Sequence, residues 1–170
     1  MNPLATVIGR AGLALLLGLG AGNALAQSPA AFIDDASAKG MADIETSRLA
    51  HQQTSSQAVK EFSIQVINDR TTANQHLARI AKRLGLPVTP RERLLAQARA
   101  RMPQLARGAD FDRAYAASQI QASAAAIQQI RQQAQASELP EFKAFAEETL
   151  PKLEQHLQMA RALQAGRLDG

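Results

Sequence analysis

Residues 56 to 84 carry a stripe of apolar side chains that can be buried only if the segment is helical and other elements cover it. The members of the stripe recur at steps of three and four residues, the period of one helical face. They are Val59, Phe62, Val66, Asp69, Ala73, Leu77, Ile80 and Leu84. Asp69 is the single acidic member, so we expect it at or near the buried face. A carboxylate there must be paired, hydrogen-bonded or bound to a ligand.

The same periodicity, together with local start and stop signals, predicts four further helices. The five predicted helices span about 28–53, 56–84, 89–106, 110–137 and 140–164. Ser55 or Ser56 is a natural N-cap for the second helix, and Gly85 is suited to end it in a left-handed conformation. Residues 89–92, Thr-Pro-Arg-Glu, match a capping box that starts the third helix. Pro151 removes a helical hydrogen bond, so we expect it to kink the last helix or split it after Leu150.

Composition agrees with an all-α fold. Only 4% of the residues are aromatic, and no run of β-branched residues with alternating polarity occurs. Four long helices, with one short helix between the second and third, predict a four-helix bundle. The chain has no cysteine, so its stability must come from packing rather than from disulfides.

The first 26 residues have the pattern of an export signal. Arg10 precedes the apolar run AGLALLLGLGAG, and Ala24-Leu25-Ala26 matches a small-x-small cleavage site. We therefore predict cleavage after Ala26, a periplasmic location, and a single domain over 27–170 with its core within about 32–163. Retention of the segment as an uncleaved anchor is the alternative. Without a cysteine there is no lipid-attachment motif.

Basic residues are concentrated between positions 79 and 107. This basic segment holds eight of them against the single acid Glu92, a local charge of +7, whereas the whole chain carries +4. The eight are Arg79, Lys82, Arg83, Arg91, Arg93, Arg99, Arg101 and Arg107. Such a segment can bind anionic lipid, lipopolysaccharide or an acidic partner, or can simply be a solvated surface. Nucleic acid is not an expected partner, because no aromatic platform is interleaved with the basic residues.

No pattern for catalysis is present. There is no cysteine, no serine in a glycine-flanked elbow and no glycine-rich phosphate loop. None of His51, His76 and His156 belongs to a Glu-x-x-His pair, which dinuclear carboxylate sites in helical bundles require. We therefore expect no enzymatic activity and no cofactor. A mononuclear metal site built from Glu45, Asp69 and His156 is the alternative; otherwise Asp69 bonds a neighbouring helix or pairs with an arginine.

Four stretches of the chain resemble a known family. They are ADIETSRLA at 42–50, AVKEFSIQVINDRTTAN at 58–74, GADFDRAY at 108–115 and FKAFAEETLPKLEQHLQMA at 142–160. They resemble the exported bacterial proteins grouped as domain of unknown function 4142. The resemblance covers roughly residues 32–163 and implies a ferritin-like helical bundle.

The polar positions typical of that family are only partly kept. Glu45 matches its acidic residue in the first helix, and His156 matches the histidine that follows a Leu-Pro step. The two Asp-His steps of the family fall here on Asp69-Arg70 and Ala122-Ser123. This departure argues against a metal centre, and it makes Arg70 or another cation a candidate partner for Asp69.

Taken together, the residues and the resemblance predict a non-enzymatic envelope protein that binds a partner through its surface, with a role in stress tolerance as a further hypothesis. One alternative is a degenerate metal-binding bundle. The other is peripheral binding to anionic lipid through the basic segment, which limits membrane contact to the surface.

Overall fold

The computed structural model describes residues 27–167, so the predicted export signal lies outside the described range. The helices are α1 (Pro29–Gln53), α2 (Gln57–Leu84), α3 (Arg91–Arg101), α4 (Phe111–Ala136) and α5 (Pro140–Gln164), with one 3-10 turn, Gly108–Asp110, before α4. No strand occurs in this range, and the all-α prediction is confirmed. No helix within residues 27–167 is long and apolar enough to cross a membrane.

Both ends of α2 form as predicted. The Ser56 side chain accepts a hydrogen bond from the backbone N–H of Val59, satisfying one of the free donors at the start of the helix. At the other end Gly85 adopts φ 61°, where a side chain would be strained. The N–H of Leu86 then donates to the Ala81 carbonyl over 2.9 Å, which closes the last turn.

The predicted capping box of the third helix does not form, and the helix is shorter than predicted. Thr89 uses both its backbone N–H and its hydroxyl to donate to the carboxylate of Asp34, over 2.8 and 2.6 Å. Charge-assisted bonds of this kind are stronger than the bond in a neutral cap. The helix ends at Arg101 because Met102, with ψ 134°, precedes a proline, and a proline disfavours helical geometry in the residue before it.

Of the two effects predicted for Pro151, a kink or a split of the last helix, the split does not occur. α5 continues from Pro140 to Gln164 with Pro151 inside it. Pro151 is exposed, while Phe145 and Leu153 on either side of it are buried in the core. Packing of these neighbours keeps the segment helical despite the one hydrogen bond that proline removes.

Interhelical contacts define the directions of the helices. α1 packs against α2, α3 and α4, and α5 packs against α2 and α4. Hydrogen bonds and ion pairs join α1 to α2 at Asp43–Arg70 and Ser37–Asn74. They join α2 to α5 at Asp69–His156 and Arg83–Glu141. They join α1 to α4 at Ser47–Tyr115 and Lys39–Gln129. In each pair of helices the residue number rises along one helix as it falls along the other. The pairs α1–α2, α2–α5 and α1–α4 are therefore antiparallel.

The connection from α2 to α4 runs back along α1. It starts beside the first turns of α1, where Thr89 binds Asp34, and α4 begins near the last turns of α1, where Tyr115 meets Ser47. α3 lies within this connection and packs on α1, with Leu94 and Ala98 buried.

Two apolar clusters form the core. The first contains Phe32, Ile33, Leu77, Ile80, Ala81, Ala126, Ile127, Ile130, Phe142, Phe145, Ala146 and Leu153. The second contains Ala50, Val59, Phe62, Val66, Phe111, Tyr115, Ala116, Ala160 and Leu163. The apolar stripe of α2 contributes to both clusters and is buried as predicted, with Ala73 and Leu84 only partly covered.

Candidate functional site

A layer of polar side chains separates the two apolar clusters. On each of the four long helices its members lie between the residues of one cluster and those of the other, except that Tyr115 also belongs to the second cluster. This polar layer consists of Asp43, Thr46, Ser47, Arg70, Tyr115, Gln119, Ser123 and His156, each less than a tenth exposed. Burying so many polar groups is costly unless they are paired, so the layer is the candidate site.

An ion pair between α1 and α2 lies at the centre of the layer. The Nη2 atom of Arg70 lies 2.7 Å from Oδ2 of Asp43, and both side chains are nearly inaccessible to solvent. Burial raises the pKa of Asp43, and the Arg70 guanidinium opposes that rise. Because each charge is held away from water, each depends on the other.

A second polar pair joins α2 to α5. Nε2 of His156 lies 2.9 Å from Oδ2 of Asp69, whose side chain is 23% exposed, whereas that of His156 is buried. Burial lowers the pKa of His156, although the hydrogen bond to Asp69 acts in the opposite direction. The ring is therefore neutral and carries its proton on Nε2, where it donates to the carboxylate. Its Nδ1 is left as a bare acceptor facing the core.

Aromatic contacts connect this pair to α1 and α4. The Phe62 ring contacts the rings of both Tyr115 and His156, each with a centroid 6.0 Å from that of Phe62. The Tyr115 hydroxyl shares a 2.8 Å hydrogen bond with Ser47. Burial raises the pKa of Tyr115, and the hydrogen bond from Ser47 only partly opposes that rise. The phenol is thus neutral and acts as a structural member of the layer.

Several buried polar atoms of the layer have no hydrogen-bond partner among the described residues. These atoms are Thr46 Oγ1, Arg70 Nε, Gln119 Oε1, Ser123 Oγ and His156 Nδ1. They come from all four long helices. Native proteins rarely leave such atoms unpaired, and each case calls for an explanation.

The structure assembles only part of the metal site predicted from Glu45, Asp69 and His156. Asp69 and His156 are in contact, but the Glu45 carboxylate lies toward the surface and pairs with Arg48 over 2.6 Å. Within residues 27–167 no group of three or more His, Cys, Asp or Glu side chains is placed to hold a metal ion. The predicted set of three ligands is therefore not brought together.

The suggestion that Arg70 pairs with Asp69 is wrong. Asp69 instead bonds a neighbouring helix through His156, and another cation, the Nζ of Lys152, lies 3.8 Å from its Oδ1. Neighbouring positions on a helix point about 100° apart, so Asp69 turns toward α5 and Arg70 toward α1. The buried pair of Asp43 and Arg70 was missed, although its signal is present in the sequence. Arg70 follows Val66 by four residues and precedes Leu77 by seven, which places it on the apolar stripe.

The basic segment, in contrast, lies at the surface. All eight of its basic side chains are exposed. Arg101 pairs with Asp35 over 2.6 Å, and Arg83 lies 3.9 Å from Glu141. The other six have no acidic partner within the part of the chain that is described. Val88, within the basic segment, is 39% exposed. An apolar side chain is thus exposed in the same stretch of chain as these cations.

The sequence matches a known protein family over most of its length. A protein-family model described as a domain of unknown function, DUF4142, matches residues 17–163. No curated protein and no solved structure is significantly similar to the chain.

Proposed function

The chain belongs to the DUF4142 family of domains of unknown function, and we propose that it is an exported, non-enzymatic protein that binds the anionic lipid surface of the bacterial envelope through its basic segment. The observation that carries this proposal is the set of six exposed cations that lack acidic partners among the described residues. Cations left free in this way attract an anionic surface, each contributing about 1 kcal/mol close to an anionic membrane.

The exposure of Val88 favours lipid over an acidic protein as the partner. Val88 lies in the connection between α2 and α3, flanked by Arg83 and Arg91. An apolar side chain among arginines suits a lipid interface, where the cations meet headgroups and the apolar group reaches the acyl boundary.

The interior of the protein supports a surface role rather than catalysis. Ser123 and His156 are both completely buried, so a substrate has no access to either side chain. The polar layer is also balanced internally, because Asp43 is paired with Arg70.

The path of the chain supports a ferritin-like bundle. Two helical hairpins, α1–α2 and α4–α5, are joined by one connection that runs the length of α1, and a single long crossover of this kind is typical of ferritin-like folds. For export, the support is the pattern of residues 1–26. Mass spectrometry of protein from a periplasmic extract should find Gln27 as the first residue, and an intact Met1 in that fraction would contradict cleavage.

Co-sedimentation with lipid vesicles tests the binding proposal. Purified protein should sediment with vesicles of phosphatidylglycerol and phosphatidylcholine, but not with phosphatidylcholine alone. Reversing three free cations, in Arg91→Glu, Arg93→Glu and Arg99→Glu combined, should weaken binding by about a hundredfold or more, because three charges at about 1 kcal/mol each are worth about 3 kcal/mol and about 1.4 kcal/mol is tenfold. The matched control reverses three exposed cations outside the segment, Arg113, Lys143 and Arg161, and should bind nearly as the unaltered protein does.

Salt and a soluble polyanion complete the test. Vesicle binding should fall steeply as salt rises, because exposed charges are screened within about 10 Å at 0.1 M. Binding that is insensitive to salt, or equal loss in the two triple variants, would contradict a role for the basic segment. Retention on polyglutamate without binding to anionic vesicles would instead identify an acidic protein as the partner.

A further inference from the structure

The unpartnered atoms of the buried polar layer imply missing hydrogen-bond partners, and we propose that these partners are individually bound, ordered water molecules, with the Arg70 guanidinium as the built-in cation of the layer. The inference is independent of the proposed surface binding. It answers the question that the fold raises, namely whether the polar centre of this bundle holds a metal ion.

Burial excludes bulk solvent as the missing partner. Thr46, Gln119, Ser123 and His156 are each at least 98% buried, and Arg70 is 94% buried. Each nevertheless has one polar atom without a hydrogen bond among the described residues. Ordered buried water typically occupies such positions, making two to four bonds to groups that would otherwise be unsatisfied.

The chemistry of these atoms does not fit a metal ion. Arg70 Nε carries a hydrogen and a positive charge, so it can only donate and it repels a cation. The carboxylates that metals prefer are already engaged, Asp43 with Arg70 and Asp69 with His156. What is left is one imidazole nitrogen, two hydroxyls and one amide oxygen, which is a poor ligand set for a divalent ion.

The same atoms do not fit an anion. Gln119 Oε1 is an acceptor only, and Nδ1 of the neutral His156 is also an acceptor, because Nε2 carries the proton. Water can satisfy every atom of the set, because it donates to these two, accepts from Arg70 Nε, and does either with the hydroxyls of Thr46 and Ser123.

The space beside Arg70 has the scale of water. One cavity of about 20 Å³ is lined by Arg70, Asn74 and Gln129 among others. A second, of about 10 Å³, is lined by Arg70, Asp69 and Thr149 among others. A single water needs about 10–15 Å³, so the space beside Arg70 has room for single water molecules but not for an ion with its coordination shell. Thr46, Gln119, Ser123 and His156 line neither cavity.

Removing the unpartnered hydroxyls distinguishes a hydrated layer from a dry one. If water bonds to them, Ser123→Ala and Thr46→Val each lose a hydrogen bond, and Tm should fall by about 2–4 °C per variant. If the layer is dry, each variant removes an unsatisfied buried group, and Tm should rise. Ser118→Ala, on the same helix as Ser123, sets the scale for a lost direct bond, because the Ser118 hydroxyl donates to the Tyr115 carbonyl over 2.7 Å.

A crystal structure and metal analysis of the unaltered protein complete the test. We expect water within hydrogen-bond distance of His156 Nδ1 and Arg70 Nε, and metal well below stoichiometric after dialysis against Zn²⁺, Mn²⁺ or Fe²⁺. The ¹⁵N resonances of His156 should show a neutral ring protonated on Nε2. A rise in Tm for both hydroxyl variants, a stoichiometric metal bound by His156, or direct protein bonds to all five atoms would each overturn the proposal.

Discussion

At the scale of single residues, the interior of the protein depends on Arg70 and Asp43. Their side chains lie 2.7 Å apart and are 7% and 12% exposed. Breaking a buried pair leaves one charge uncompensated, whereas replacing both partners with apolar groups is often neutral or stabilising. Arg70 is therefore needed to compensate the buried charge of Asp43, and not to form the fold itself.

Arg70→Met should lower the free energy of unfolding by about 3–5 kcal/mol, measured by urea denaturation. The double variant Arg70→Met/Asp43→Leu should recover most of that loss. Arg48→Met, which breaks the exposed pair with Glu45, is the control and should change stability by less than about 1 kcal/mol. A double variant as unstable as Arg70→Met alone would contradict mutual dependence.

His156 should make stability dependent on pH. Burial lowers its pKa below the ordinary 6.5, although Asp69 partly opposes this. Below pH 6.5 the unfolded chain takes up a proton that the folded chain resists, so stability is complete above 6.5 and falls as pH drops toward the folded pKa.

Unfolding free energies measured between pH 8 and pH 5 test this dependence. His156→Gln, which can still donate to Asp69, should show a flatter profile than the unaltered protein. His51→Gln alters an exposed histidine and should keep the original slope. Identical slopes for all three proteins would show that His156 does not cause the pH dependence.

At the scale of helices, a close approach between α1 and α2 depends on Gly40. A side-chain carbon at Gly40 would lie 2.4 Å from Oδ1 of Asn74, and the Asn74 amide donates to the Ser37 carbonyl over 3.3 Å. Alanine normally favours a helix over glycine by about 1 kcal/mol. Here the contact with Asn74 reverses that preference.

Gly40→Ala should therefore destabilise the protein by about 1 kcal/mol or more, since the gain in helix propensity is smaller than the clash. In the background of Asn74→Ala the same substitution should become stabilising. A double-mutant cycle measured by chemical denaturation gives the sign. Stabilisation by Gly40→Ala in the unaltered protein would mean that Asn74 moves away freely.

Phe62 tests the burial of the α2 stripe. It is completely buried and contacts the rings of Tyr115 and His156, so Phe62→Ala should cost about 3–5 kcal/mol of unfolding free energy. Ile64→Ala, on the exposed face of the same helix, should cost less than about 0.5 kcal/mol. Equal effects of the two substitutions would contradict the assignment of faces.

At the scale of the whole molecule, Asp35 joins three helices. Its carboxylate accepts hydrogen bonds from Arg101 of α3 over 2.6 Å and Gln129 of α4 over 2.8 Å, and it pairs with Lys39 of its own helix. Partial burial acts to raise the pKa of Asp35, but these partners outweigh it and lower the pKa below 3.8. The ionised carboxylate thus helps to hold the connection containing α3 against α1.

Asp35→Asn should destabilise the protein by about 1 kcal/mol at pH 7, the usual net value of a hydrogen-bonded surface charge. Its effect should shrink as pH falls from 3.8 through the lower pKa of the folded state, because the carboxylate is protonated first in the unfolded and then in the native protein, and the unaltered protein loses the same interactions. Hydrogen exchange should become faster in α3. Unchanged exchange in α3 would show that other contacts hold the connection.

Much of the fold could be predicted because it depends on local patterns. The α2 stripe, the Ser56 and Gly85 ends of that helix and the exposure of the basic segment all follow from spacing and chemistry along a few turns of chain. Helical period and capping act between residues at most about four positions apart, so they can be read without knowing the partners of a helix.

Tertiary structure decided what depends on residues far apart in the chain. Thr89 gives up its predicted cap for Asp34, which lies 55 residues away. Pro151 stays helical because the surrounding core holds α5 in place. The same is true of the polar centre, where Asp69 and Arg70 are adjacent in sequence but find partners on different helices. Periodicity indicates which positions of a helix face inward. A buried charge at such a position must be paired, and its partner is decided by the neighbouring helix that packs there.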